Sequence, residues 1–151
     1  MKTTLKTLSL AAAFALASYA THASANGIGG PSMKPTNAAD DTCATYAYGQ
    51  LTNTCTATKS FIVALPYSGS AGYRNFTVQA QGATTGDVSC RIAATTNAQS
   101  SFYSGSWVSL PAAGSVQTIN LGSLYMDTQS SLYLLCNVAQ NAKVFSIQWD
   151  N

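Results

Sequence analysis

Val88-Ser89-Cys90-Arg91-Ile92-Ala93-Ala94 sets Val88, Cys90, Ile92 and Ala94 against Ser89, Arg91 and Ala93. That period of two belongs to a strand with one side on a core and the other toward solvent. Leu132, Leu134 and Cys136 repeat it. Further apolar runs occupy Phe61 to Leu65, Phe76 to Ala80, Trp107 to Leu110, Val116 to Leu121 and Val144 to Trp149. Pro66, the Gly82 to Gly86 stretch and the Pro111 to Gly114 stretch separate them, and no segment carries a helical period. Proline cannot donate to a ladder and glycine supplies turn conformations, so these are strand boundaries. The pattern predicts an all-β fold, a single antiparallel β-sandwich, immunoglobulin-like or jelly-roll-like, of about seven to nine strands.

In the last run Phe145, Ile147 and Trp149 are expected to face one way, with Val144, Ser146 and Gln148 opposite. Thr45 to Gly49 and Thr56 to Leu65 are expected to pair around the turn-like Gly49-Gln50-Leu51-Thr52-Asn53.

The chain opens with Lys2 and Lys6, an apolar run from Leu8 to Ala17, and the small residues Ala23-Ser24-Ala25. These are the three parts of a secretory signal peptide, and the apolar run is too short to span a bilayer. Residues 1–25 are therefore expected to be a cleaved signal, and the protein to be exported, secreted or periplasmic, without membrane insertion after cleavage. Asn26 to Thr42 mixes glycine, proline and polar residues with no apolar period and is expected to be a flexible leader. Residues 43–151 form the expected domain.

The signal carries two of the seven cations, leaving five against five aspartates. A neutral domain with singly scattered Lys34, Lys59, Arg74, Arg91 and Lys143 lacks the basic patch of a nucleic-acid binder. Low charge also weakens colloidal repulsion and leaves self-association open.

Four cysteines in an exported chain read as two disulfides. The favoured pairing is Cys43 with Cys55, stapling a hairpin, and Cys90 with Cys136, which both point inward and would join two distant strands across the core. Loop-closure entropy assigns these bonds about 3 and 4 kcal/mol, but the crossed pairings close longer loops and score higher, so strand placement makes the choice. Zinc is disfavoured because no C-x-x-C exists and the mature chain has no histidine.

That absence also limits catalysis. The one histidine, His22, precedes the cleavage site, and every acid is an aspartate: Asp40, Asp41, Asp87, Asp127 and Asp150. A Ser-His-Asp triad and a Cys-His pair are excluded in the mature chain. The aspartates fall in the leader or beside turns, where local backbone claims them, and supply only fragments of a calcium site. A serine with a lysine base has no motif behind it. No catalytic residue, metal or cofactor is expected.

Aromatic side chains are the remaining recognition material, with eight tyrosines, five phenylalanines and two tryptophans. Phe102-Tyr103 with Trp107, or Tyr46 with Tyr48, are the candidate ligand-binding residues, because planar rings beside amides stack on sugars. The competing use of aromatics is core packing and cross-strand pairing, strongest for Trp107 and Trp149.

The order Cys90, Trp107, Cys136 resembles the immunoglobulin pattern, although Leu134 stands where that pattern places tyrosine. Val88-Ser89-Cys90, Gln117-Thr118-Ile119-Asn120-Leu121-Gly122-Ser123-Leu124, Tyr133-Leu134-Leu135-Cys136 and Phe145-Ser146-Ile147 are similar to a loose group of small exported bacterial proteins without assigned function. The resemblance implies a secreted β fold and a Cys90 to Cys136 bridge, and no site. Members often carry Cys-Pro where this chain has Leu65-Pro66, a departure that bears on the first disulfide more than the second.

The expected function is a secreted, non-enzymatic binding module whose partner is an extracellular or periplasmic glycan or protein. The alternatives are a structural subunit of a surface assembly or pilus-like fibre, with Asn26 to Thr42 pairing to a neighbour's sheet edge, and an inhibitor of a foreign hydrolase.

Overall fold

The computed structural model describes residues 26–96, 101–128 and 130–150. The expected signal peptide, residues 1–25, lies outside the described residues. Twelve strands form among the described residues: β1 (Asn26–Gly29), β2 (Lys34–Pro35), β3 (Ala44–Ala47), β4 (Gln50–Asn53), β5 (Lys59–Leu65), β6 (Gly72–Gln81), β7 (Val88–Thr95), β8 (Phe102–Ser104), β9 (Val108–Ser109), β10 (Gln117–Met126), β11 (Ser131–Val138) and β12 (Lys143–Trp149). They build two antiparallel sheets of six strands each.

The first sheet runs β10-β6-β12-β4-β3, with β1 beside the end of β12 and β4 beside its start. The second runs β2-β5-β11-β7-β8, with β9 sharing the outer edge of β7. Alternation does the packing. Phe76, Val78 and Ala80 of β6 and Ile147 and Trp149 of β12 meet Phe61 and Val63 of β5, Cys90 and Ile92 of β7, and Leu132 and Leu134 of β11 in one buried cluster. The expected β-sandwich is therefore the fold, with more strands than predicted because β1, β2 and β8 are edge strands too short to show a period, while β9 falls within the predicted Trp107 to Leu110 run.

Residues 26–42 differ from the expected flexible leader. Asn26 to Gly29 pair with Ser146 to Trp149, and Lys34 and Pro35 pair with Ile62 and Phe61. Met33 is fully buried between these two short strands. The segment crosses from one sheet to the other and pairs with strands of its own molecule. Glycine and proline hide it in sequence, because pairing onto a ready-made edge needs no hydrophobic period.

The predicted early hairpin is also corrected. β3 pairs with β4 around Tyr48 and Gly49, both in the left-handed region at φ 52° and 76°, as a two-residue hairpin loop requires. β5 instead joins the opposite sheet. Cys43 and Cys55 still meet, closing the base of the β3–β4 hairpin with Cα atoms 5.0 Å apart. Cys90 and Cys136 are bonded as directly opposed residues of β7 and β11, 4.1 Å apart at Cα. That bond does not cross the core between distant strands: it clamps neighbours within one sheet on the core-facing side.

Two bulges shift the side-chain phase. In β12 the register slips between Val144 and Ser146, so Val144, Ile147 and Trp149 all turn inward, in place of the expected Phe145, Ile147 and Trp149. In β10 the slip falls between Asn120 and Gly122. Gly122 sits at φ 74° and donates its N–H to Asn120 Oδ1 at 2.9 Å. One extra residue exchanges the faces of everything beyond it. Ser123 and Tyr125 thereby join Thr118 and Asn120 on the outer face. A Cβ at Gly122 would meet nothing within 4 Å, so Gly122→Ala tests the backbone alone. The expected loss is about 1 to 2 kcal/mol by denaturant unfolding, and an unchanged midpoint would refute a required left-handed residue.

Candidate functional site

β8 and β9 line the outer edge of β7, where Phe102, Tyr103 and Trp107 are 61%, 46% and 42% exposed. Phe102 stands opposite Thr95, while Tyr103 stands opposite core-facing Ala94. Successive strand residues point to opposite sides, so these two rings do not share a surface. Trp107 lies against the guanidinium of outward-facing Arg91, 4.7 Å from the ring centroid. This cation–π contact orients the indole. The structure thus brings Phe102 and Trp107 to one outer edge of the second sheet and leaves Tyr103 on the other side of β8.

The second expected pair separates. Tyr46 is opposite buried Leu51, donates its hydroxyl to the Met33 carbonyl at 3.0 Å, and carries the Lys34 ammonium 4.9 Å from its ring centroid. Burial, followed by the negative charge of Asp41, raises its phenol above the ordinary value. Tyr46 closes the sandwich edge between β3 and β2. Tyr48 stands free at the hairpin tip, fully exposed.

Four of the five aspartates are claimed by protein partners. Asp40 forms an ion pair with Lys59 at 2.6 Å. Asp87 accepts from the Thr84 hydroxyl and N–H at 2.7 and 2.8 Å, which hold its carboxyl below the usual carboxylate range. Asp150 accepts from the N–H and the side-chain amide of Asn75, both at 2.7 Å. Asp127 accepts from the Thr128 N–H. No cluster of three metal-ligating side chains occurs among the described residues, and none of their helices is long and apolar enough to cross a membrane.

Sequence reasoning passed over the outer face of the first sheet. Along β6 the outward residues are Tyr73, Asn75, Thr77, Gln79 and Gln81. Their cross-strand neighbours are Tyr125, Ser123, Asn120 and Thr118 on β10, and Gln148, Ser146 and Lys143 on β12. Tyr73 and Tyr125 meet edge-to-face at 5.4 Å while staying 70% and 47% exposed. Two cavities lie at the ends: one of about 330 Å³ beside Gln81 and Lys143, the other of about 160 Å³ beside Asn75, Thr77 and Gln148. The available signal was the amide and hydroxyl set at every second residue of β6. The Tyr125 phase was illegible because it depends on the Gly122 bulge.

No family model matches the chain, and no curated protein matches it by sequence. Solved structures do. The CBM6 carbohydrate-binding module at the C-terminus of LamC, a marine laminarinase from Zobellia galactanivorans, superposes with TM-score 0.56 at 12% identity, covering 85% of this chain and 100% of that one. The Podospora anserina GH26-CBM35 β-(1,4)-mannanase superposes with TM-score 0.54 at 12% identity, covering 85% of this chain. This chain spans 28% of the mannanase's length. The likeness is one of fold.

Proposed function

We propose that the chain is an exported, non-enzymatic module that binds glycans at the Phe102 and Trp107 edge. The observation that carries this reading is Trp107, a large ring 42% exposed yet held in place by Arg91. Exposing such a ring gives up burial free energy, and ordering it in advance lowers the entropy cost of binding. A ring so held offers a flat surface to the C–H face of a sugar, with neighbouring Ser104 and Arg91 as hydrogen-bonding groups. The chemistry of the surface agrees: four of the five aspartates are held by protein partners, with no histidine after the signal and no glutamate. Superposition on a carbohydrate-binding module supports the same reading at the level of the frame.

Affinity electrophoresis or calorimetry against a glycan panel tests it. Trp107→Ala is expected to weaken binding about 30-fold, the scale of an aromatic hot spot. Phe102→Ala is expected to weaken it less, and no hydrolysis of the bound glycan is expected. Parent-level affinity in both variants would eliminate this edge as the site.

A further inference from the structure

We infer that the outer face of the first sheet is a second site, built for an extended, uncharged glycan chain lying along β6. The inference takes its ligand class from the proposed function, but its residues are disjoint from the Phe102 and Trp107 edge. Three observations carry it.

The first is the state of the polar side chains. At the margins they are tied to the protein: Asn75 to Asp150, Asn120 to the Gly122 N–H, and Gln81 to the Gly114 carbonyl. In the centre the side chains of Thr77, Gln79, Ser146 and Gln148 make no hydrogen bond to the described residues, although Thr77 faces Gln148 and Gln79 faces Ser146 across the β6–β12 pair. A stabilising polar ladder would bond across the strands. These groups instead leave amide donors and hydroxyl and carbonyl acceptors open together, a set that matches the hydroxyls of a sugar chain.

The second is charge. Soluble protein surfaces ordinarily intersperse charged side chains, yet the central rows of this face carry none. Its two flanking charges lie at opposite ends, Lys143 beside Gln81 and Asp150 beside Asn75, with Asp150 already engaged. Such a surface imposes no unpaired-charge penalty on a neutral ligand and gives an anionic one no partner along its middle.

The third is shape. From Tyr73 to Gln81 the strand runs about 26 Å, long enough for several sugar rings in a row. The exposed Tyr73–Tyr125 pair supplies an aromatic surface at one end, and the 330 Å³ cavity beside Gln81 and Lys143 supplies a recess at the other. A peptide would be captured along a sheet edge through its main chain. This site lies on a face whose backbone is already paired.

The test uses the full exported protein and neutral hexasaccharides and trisaccharides of β-1,4-linked glucose, mannose and galactose, with a galacturonate hexamer as the anionic comparison. A neutral hexasaccharide is expected to bind at least 10-fold more tightly than its trisaccharide, and the galacturonate hexamer is expected to gain no such advantage. The double variant Gln79→Ala/Gln148→Ala is expected to abolish the length advantage, and Tyr73→Ala to reduce it. Thr85→Ala, on an exposed loop, is expected to keep it. Because the substituted amides support no internal hydrogen bond, the melting temperature should hold, which separates lost binding from lost fold. If the length advantage survives in the double variant, or only the galacturonate hexamer shows one, the face is refuted while glycan binding stands. If no neutral oligosaccharide of either length binds, both readings fall.

Discussion

Replacing Asn53 with alanine is expected to lower stability by about 3 kcal/mol, because it removes three hydrogen bonds from a dry site. Asn53 ends β4 and is completely buried. Its Nδ2 donates to the carbonyls of Ala57 and Val138 at 2.9 and 2.8 Å, and its Oδ1 accepts from the Cys55 N–H at 3.0 Å. Its backbone N–H donates to Ala142, and its carbonyl accepts from Asn141. Val138 ends β11, so one amide side chain fastens the first sheet to the second and orders the turn that carries Cys55. Alanine leaves two carbonyls and one N–H without partners and a small void. In a domain of this size the melting temperature should fall by about 10 °C. Asn53→Asp should be worse at neutral pH, since a carboxylate there faces two carbonyl oxygens and retains no donor. Burial raises the pKa of that aspartate above its unfolded value of about 3.9. Its excess cost is therefore present at neutral pH and is relieved as pH falls through the raised folded value, where the protonated acid regains one donor. Scanning calorimetry at pH 7 and pH 4 measures both effects. A melting temperature within 2 °C of the parent for either variant at pH 7 would remove Asn53 from this role, with that threshold set at roughly 0.5 kcal/mol.

Gly30→Ala is the second large expected loss, about 3 kcal/mol, the upper range for overpacking. Gly30 is buried where β1 gives way to β4 along the edge of β12. An added Cβ would lie 2.1 Å from the Val144 carbonyl oxygen, 2.8 Å from the Val144 carbonyl carbon and 3.1 Å from the Leu51 amide nitrogen. All three are main-chain atoms, so no side-chain rotation relieves the clash. Either β1 withdraws from β12 or the β3–β4 hairpin moves. Gly29→Ala is the matched control, because its added Cβ would meet only Pro31 Cδ at 3.3 Å and a carbonyl oxygen at 3.9 Å. The Gly30 variant should also expose the amides of Ile28 and Ile147 to hydrogen exchange, as β1–β12 pairing is lost. Equal unfolding midpoints for the two alanine variants would contradict this packing.

Both positions escape a reading of the sequence, and for the same reason. Asn53 looks like one more polar residue in a turn-like stretch, and Gly30 like one more glycine in a polar segment. Their importance comes from neighbours far along the chain, Val138 for one and Val144 for the other. The candidate sites divide similarly. Exposure at Trp107 depends on β9 occupying the edge of β7, and the Tyr73–Tyr125 pair exists because the Gly122 bulge reverses the phase of β10.

Alternation is local, so Val88 to Ala94 and Leu132 to Val138 declare their buried faces in the order of residues, and with them the β class. Composition is likewise a property of the chain alone: four cysteines, few charged side chains and no glutamate restrict the chemistry before any folding. Strand partners, bulge positions and the occupants of free edges are set by long-range contacts. Tertiary structure alone therefore made Cys90 and Cys136 neighbours within a sheet, drew Asn26 to Pro35 into both sheets, and spread unbonded amides across one outer face.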